Sequence, residues 1–281
     1  MVKWLRFQKN LHSVLPKRRN DRLIMMVKKS FVIIFAVLFA AVFTGCPGTA
    51  NDADTLLQMS AREAQNGKNS DALMLAKEAC MVSPDNVEAL LMRAIMAEKC
   101  NDRQLALDSA LQALRLAPNN FVVLYTVGRL YSYSKDTAAE AMGYLEKAHN
   151  LKKNDVNTLI LLANLAVTLK SEKALEYLNK IAAEDSEITN SYEGQTMFGH
   201  AYALRGNKSK ATIAFGLADR IGKNIFSNYN YAVAIDCLYG KPALAASKYQ
   251  VFLKQGASDP ALASLRRDVE KRLNKIKRKY R

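Results

Sequence analysis

The chain has 281 residues and a formal net charge of +15, a sum that taken whole points to nucleic acid. Its distribution excludes that class. Residues 1–45 hold nine Lys/Arg and one acid (+8), residues 262–281 hold nine and two (+7), and residues 46–261 hold 23 of each sign, so the body has no basic field to steer it to a phosphate backbone. Cys80, Cys100 and Cys237 show no C-x-x-C spacing, and His12, His149 and His200 form no H-E-x-x-H or His/Asp/Glu cluster, so neither a metal nor another cofactor is expected.

In chain order, the first marked element is an unbroken apolar run from Phe31 to Phe43. At ~1.5 Å per residue it spans roughly 20 Å as a helix, short of the ~30 Å of a bilayer core. Lys28 and Lys29 precede it and Thr44 and Gly45 follow, which is the layout of a secretory signal: basic, apolar, small. Phe43-Thr44-Gly45-Cys46 resembles the lipobox of bacterial lipoprotein signal peptides, with phenylalanine where that family usually has leucine. The resemblance implies that the Cys46 sulfur takes a diacylglyceryl group and that the chain is cut just before Cys46. An uncleaved N-terminal anchor with an incidental cysteine is the alternative. Ahead of Lys28, either translation starts at Met25 or Met26, or a long cytoplasmic n-region stays behind. Segment 1–45 is thus an upstream extension and signal peptide, and 46–52 a lipidated N-terminus and short linker. Pro47 is not the aspartate that favours inner-membrane retention. The expected place is a bacterial membrane on its periplasmic side, the outer membrane in preference to the inner.

The body repeats. EACMVSPDN and QALRLAPNN place Pro84 and Pro118 34 residues apart, and twelve residues before each stands an alanine. The same mark recurs at Ala72, Ala106, Ala141, Ala174, Ala211 and Ala245, in steps of 34, 35, 33, 37 and 34. A period in this range signals stacked supersecondary units. Four residues after each mark stand Ala76, Ala110, Leu145, Leu178, Phe215 and Tyr249; three further on stand Ala79, Ala113, Ala148, Ile181, Ala218 and Phe252. The preceding helices carry Ser60, Ala94, Gly128, Ala163, Gly199 and the bulkier Val233 at one phase. This pattern resembles the tetratricopeptide repeat (TPR), a 34-residue helix-turn-helix. The resemblance implies an all-α fold: a superhelical solenoid of about six TPR-like repeats over 53–258, with first helices lining the concave side. Cys80 and Cys100 then fall at opposite ends of antiparallel helices, roughly 20 Å apart, and no disulfide is expected between them.

After Asp259-Pro260, Leu262, Leu265, Val269, Leu273 and Ile276 recur at helical spacing, so 259–281 reads as a basic capping helix over the last repeat. Its cations, Arg266, Arg267, Lys271, Arg272, Lys275, Lys277, Arg278 and Lys279, are candidates for contact with anionic lipid or another polyanion.

No nucleophile elbow or phosphate loop occurs, and the carboxylates read as solvated helix faces. The chain is therefore expected to be no enzyme but a lipid-anchored scaffold of the bacterial envelope. It would bind a protein or peptide partner in its groove, in a role like that of pilotins or of barrel-assembly lipoproteins. The alternatives are an adaptor for cell-wall hydrolases and an enzyme with a site inside the superhelix. The helical phase puts Tyr125, Arg129 and Tyr133 on the groove face, followed by Asn157, Asn164, His200 and Asn230. Replacing Tyr125, Arg129 and Tyr133 by alanine is expected to weaken a partner's binding by about 1–4 kcal/mol with thermal stability nearly kept.

Overall fold

The structure is a computed structural model that describes residues 52–279. Cys46, Met25, Met26, the run Phe31 to Phe43, the segment read at 1–45 and all but Asp52 of the segment read at 46–52 lie outside the described residues. Fourteen helices and no strand occur among the described residues. They form two compact units, 52–169 and 170–279. The first holds α1 (Ala53–Gln65), α2 (Asn69–Val82), α3 (Val87–Lys99), α4 (Arg103–Leu116), α5 (Phe121–Tyr131), α6 (Ala138–Leu151) and α7 (Val156–Thr168). The second holds α8 (Ala174–Glu184), α9 (Ser186–Asn190), α10 (Tyr192–Leu204), α11 (Lys208–Gly222), α12 (Ile225–Val233), α13 (Pro242–Gln255) and α14 (Ala263–Lys279). The fold is the TPR-like one: helix pairs α1/α2, α3/α4 and α5/α6 and then α7 in the first unit, and α8, α9, the pairs α10/α11 and α12/α13 and the cap α14 in the second.

Small residues explain the pairing. All six marked alanines, and the residues four and seven positions after them, are at most 1% exposed. The first-helix position answers them. A Cβ on Gly128 would lie 2.6 Å from Leu145 Cγ, and one on Gly199 would lie 2.7 Å from the Phe215 ring. Ser60 takes the same place in the first pair, where its hydroxyl donates to the Ala72 carbonyl at 2.7 Å. Two helices that close must present almost no side chain at the point of approach.

Local signals set the ends. The Asn86 side chain accepts from the amides of Glu88 and Ala89, Asn120 from Val122 and Val123, and Asp155 from Thr158. Ser191 caps α10, and Asn224 forms a capping box with Ser227 on α12. These oxygens satisfy the amides that a helix start leaves orphaned. First helices end on left-handed residues at Gly67, Asn101, Lys170, Gly206 and Gly240, a conformation that costs residues with a Cβ roughly 1–2 kcal/mol. The third pair lacks one and uses a longer turn, held by the Thr137 hydroxyl on the Tyr131 carbonyl at 2.6 Å.

One element departs from the simple repeat. The 37-residue step is filled by the short helix α9. It runs against α10, where a Cβ on Gly194 would lie 2.4 Å from the Ile188 carbonyl oxygen.

The cap is built as the periodicity implies. Leu262, Leu265, Val269, Leu273 and Ile276 are all buried. A buried carboxylate fixes the helix in place. After Val233 the chain makes a π-helical turn, Ala234–Leu238, and Asp236 there has a fully buried side chain. Arg272 grips it through Nε at 2.7 Å and through Nη2, while the Tyr249 hydroxyl donates to it at 3.0 Å. Hydrogen bonding to Asp236 holds the Arg272 guanidinium above its ordinary range, and burial followed by the Asp236 charge pushes the Tyr249 phenol up. This corrects two expectations for the basic face. Arg272 faces the core rather than an outside polyanion, because Asp236 inside needs a counter-charge. Arg266 donates to the Gly256 and Ala257 carbonyls, satisfying acceptors left over where α13 ends.

Two outcomes follow. Gly199→Ala should lower stability by about 1–3 kcal/mol through overpacking on Phe215. Arg272→Met should cost about 3–5 kcal/mol, since it strands Asp236, whereas Lys271→Met, exposed one residue away, should stay within about 0.5 kcal/mol. Urea unfolding monitored by circular dichroism reads both.

Candidate partner-binding surface

The first helices present the residues expected to meet a partner, and the structure deals with them differently. On α5, Tyr125 and Arg129 are buried, at 4% and 6% exposure, and Tyr133 just beyond it is half-buried. Arg129 forms an ion pair with Glu98 near the end of α3, with the two side chains 8% and 18% exposed. The Tyr133 hydroxyl donates to the same Glu98 oxygen and accepts from Arg129 Nη1 at 3.1 Å. The Arg103 guanidinium lies 5.8 Å from the centre of the Tyr133 ring. The expectation that this trio is an open surface that can be stripped without structural consequence is therefore corrected for Arg129 and Tyr133. They tie α5 to the first helix of the preceding pair. The reason is Glu98, which was read as one more solvated carboxylate. Its separation of 31 residues from Arg129 is nearly one repeat, and that spacing was the available signal.

Tyr125 stands beside this cluster, its ring stacked on Phe121 with centroids 6.1 Å apart. Its hydroxyl is buried and has no hydrogen-bond partner among the described residues. Burial pushes the Tyr125 phenol up to about 12, against the opposing pull of Arg129. Burial also raises Tyr133 to about 12, with Arg129 opposing and Glu98 adding to the rise. On α7, Asn157 and Asn164 are half-buried.

His200 and Asn230 belong to the second unit. His200, on α10, is 9% exposed and meets the Phe215 ring edge-on at 5.0 Å. Asn230, on α12, is 4% exposed, and neither its amide nitrogen nor its amide oxygen has a partner among the described residues. The Tyr192 hydroxyl, at the start of α10, is likewise buried and unpartnered. Its ring lies against Gly222, where an added Cβ would come within 2.6 Å. Tyr192 was not singled out in the sequence, because an aromatic beside an N-cap is an ordinary helix start. Each of these three unmet groups stands on a first helix.

Among the described residues no three His, Cys, Asp or Glu side chains gather as metal ligands, and no helix is long and apolar enough to cross a membrane. Cys80 is a buried free thiol, pushed up by burial, and Cys100 is a half-buried one.

No protein-family model matches the chain, and no curated protein matches it. Solved structures do. A tetratricopeptide repeat protein from Parabacteroides merdae aligns at a TM-score of 0.61 and 19% identity, over 78% of this chain and 85% of its own. PilW, described as a widely conserved type IV pilus biogenesis factor, aligns at 0.60 and 15%, over 76% and 97%. YrrB, described as a TPR protein with an unusual peptide-binding site, aligns at 0.55 and 17%, over 67% and 92%. At these identities the likeness establishes the fold.

Arg129→Ala should destabilise the protein by about 3–5 kcal/mol, as expected when a largely buried ion pair loses one partner; differential scanning calorimetry checks this. The raised phenols give a pH dependence. A folded-state value above the unfolded one means that the native state holds its proton longer, so this stability is complete below about pH 10 and is lost as pH rises through about 12. Tyr125→Phe should flatten that alkaline decline and leave neutral-pH stability equal or up to about 1 kcal/mol higher, because an unpaired buried hydroxyl is removed. Urea melts at a series of alkaline pH values read the slope.

Proposed function

We propose that the chain is a non-enzymatic, lipid-anchored scaffold of the bacterial envelope that holds a protein or peptide partner against its first helices. The observation that carries the binding half is the set of buried, unmet polar groups on those helices: the Tyr125 and Tyr192 hydroxyls and both ends of the Asn230 amide. Buried polar groups are almost always paired. A side-chain amide presents a donor and an acceptor side by side, which matches a peptide group. In this reading Tyr125, Asn157 and Asn164 face a partner on the first unit, and His200 and Asn230 do so on the second. Arg129 and Tyr133, engaged with Glu98, hold the shape of the surface beside it. The peptide-binding site in the description of YrrB and the pilus-biogenesis role in that of PilW support the same class of activity.

The anchoring half rests on the lipobox-like Phe43-Thr44-Gly45-Cys46 after its apolar run. Acyl chains on Cys46, at ~0.8 kcal/mol per buried methylene, would keep the scaffold at the membrane where its partner is assembled. The proposed place is the periplasmic side, on the outer membrane in preference to the inner, with α14 in contact with anionic lipid.

Asn230→Leu combined with Tyr192→Phe should weaken a co-purifying envelope partner by about 1–4 kcal/mol while the melting temperature holds. Cross-linked purification from detergent-solubilised membranes supplies the partner, and secretin, barrel-assembly or murein proteins would separate the envelope roles. Undiminished binding in the folded double variant would move the interface off these helices. Cys46→Ser should leave a precursor that still carries Phe31 to Phe43. A mature N-terminus elsewhere, or one without lipid, found by mass spectrometry, would sink the anchor.

A further inference from the structure

With Arg266 and Arg272 turned to internal acceptors, the cations left on α14 take on a geometry that the sequence did not show. Arg267, Lys271, Lys275, Lys277 and Arg278 are exposed. At 3.6 residues per turn, Arg267, Lys271, Lys275 and Arg278 fall within an arc of about 80° and extend along roughly 16 Å of helix. Leu265, Val269, Leu273 and Ile276 are buried, and the same projection puts them about 160° away. Asp268 and Glu270 project outside the cationic arc. The result is a straight strip of four like charges, with Ser264 within it, Asn274 beside one edge and Asp268 about 20° beyond the Lys275 edge. It lies on the outward side of a helix whose inward side is already committed to the core.

We propose that this strip rests on the headgroups of an anionic phospholipid bilayer and that the contact is electrostatic, with no insertion of the helix. The inference deepens the membrane reading above and rests on it for the presence of a membrane. Three observations select the occupant. A one-sided, straight row of point charges matches a flat anionic surface. The apolar row that an interfacial helix would sink into acyl chains is buried against Tyr249, Phe252 and their neighbours in the same core, so α14 can offer only its charges. Residues 46–261 are neutral in sum, and the strip carries no aromatic side chain to stack on a base. Both facts disfavour a nucleic acid, whose charge would need a wider basic field. Four cations held within one or two screening lengths of each other act together on such a surface and lose their hold as salt rises.

The test is lysine acetylation by a water-soluble reagent, read residue by residue by mass spectrometry on the full chain. The chain is mixed with vesicles of phosphatidylcholine alone or of equal parts phosphatidylcholine and phosphatidylglycerol. Exposed Lys208 on α11 is the internal control. At low salt, Lys271 and Lys275 should react at least about threefold more slowly relative to Lys208 on the anionic vesicles than on the neutral ones. The difference should vanish near ~1 M salt, where the screening length is ~3 Å. Co-sedimentation is measured in the same samples and keeps the two readings apart. Sedimentation on both vesicle types with equal lysine reactivity overturns the strip and leaves the anchor standing. Sedimentation on anionic vesicles alone, with the lysines protected, supports the strip and overturns the anchor. Equal protection by duplex DNA without vesicles overturns the lipid assignment in favour of a polynucleotide.

Discussion

Two helices can approach as closely as most pairs here do only if one of them has almost no side chain where they meet, and that constraint organises much of this molecule. The residue four positions after each marked alanine grows along the chain: Ala76, Ala110, Leu145, Leu178, Phe215, Tyr249. The facing first helix compensates. Where the second helix offers Leu145 or Phe215 the first offers glycine, and where it offers Ala76 or Ala110 the first offers Ser60 or Ala94. In these four pairs the first helix gives up its side chain where the second offers a large one, as close packing demands. The sixth pair sets Val233 against Tyr249, and there the first helix continues as a π turn.

A molecule built this way needs something to hold one pair to the next, and buried charge does part of that. Glu98 with Arg129, Asp219 with Lys248, and Asp236 with Arg272 are separated by 31, 29 and 36 residues. Each separation is close to one period, so each pair ties a helix to its neighbour in the adjoining repeat or cap. The carboxylates are the more buried members at Asp219 and Asp236, at 8% and 0% side-chain exposure against 33% and 34% for their cations. Long basic side chains reach in from the surface while the short acids stay inside. A body with no net charge is therefore not an uncharged body. Its charges are placed in opposed pairs.

The same placement separates the surfaces with something left to bind from those without. Arg129, Arg266 and Arg272 are engaged internally. Tyr125, Tyr192 and Asn230 hold unmet hydrogen-bonding groups on first helices, and Arg267, Lys271, Lys275 and Arg278 face outward on α14. The first set offers hydrogen bonds and the second positive charge, which is why we propose a partner chain for the one and a membrane for the other.

Period, helix pairing and cap were legible in the residues because each is a local pattern repeated many times. Alanines 33 to 37 residues apart, glycines at turns and an apolar face on the last helix report short-range geometry, and short-range geometry follows from side-chain size and backbone freedom. The helix α9 was hidden because one short turn leaves only a longer step between marks. The roles of Arg266 and Arg272 were not legible, and that of Arg129 showed only in its near-period spacing from Glu98. A cation's partner depends on which carboxylate or carbonyl the stacking brings within reach, and Glu98, Asp236 and Gly256 lie 10 to 36 residues away. The residues by themselves determined a stack of paired helices with a basic final helix. Only the packing of each repeat on the next decided which polar groups became internal ties and which remained open, because pairing across repeats is a property of neighbours in space.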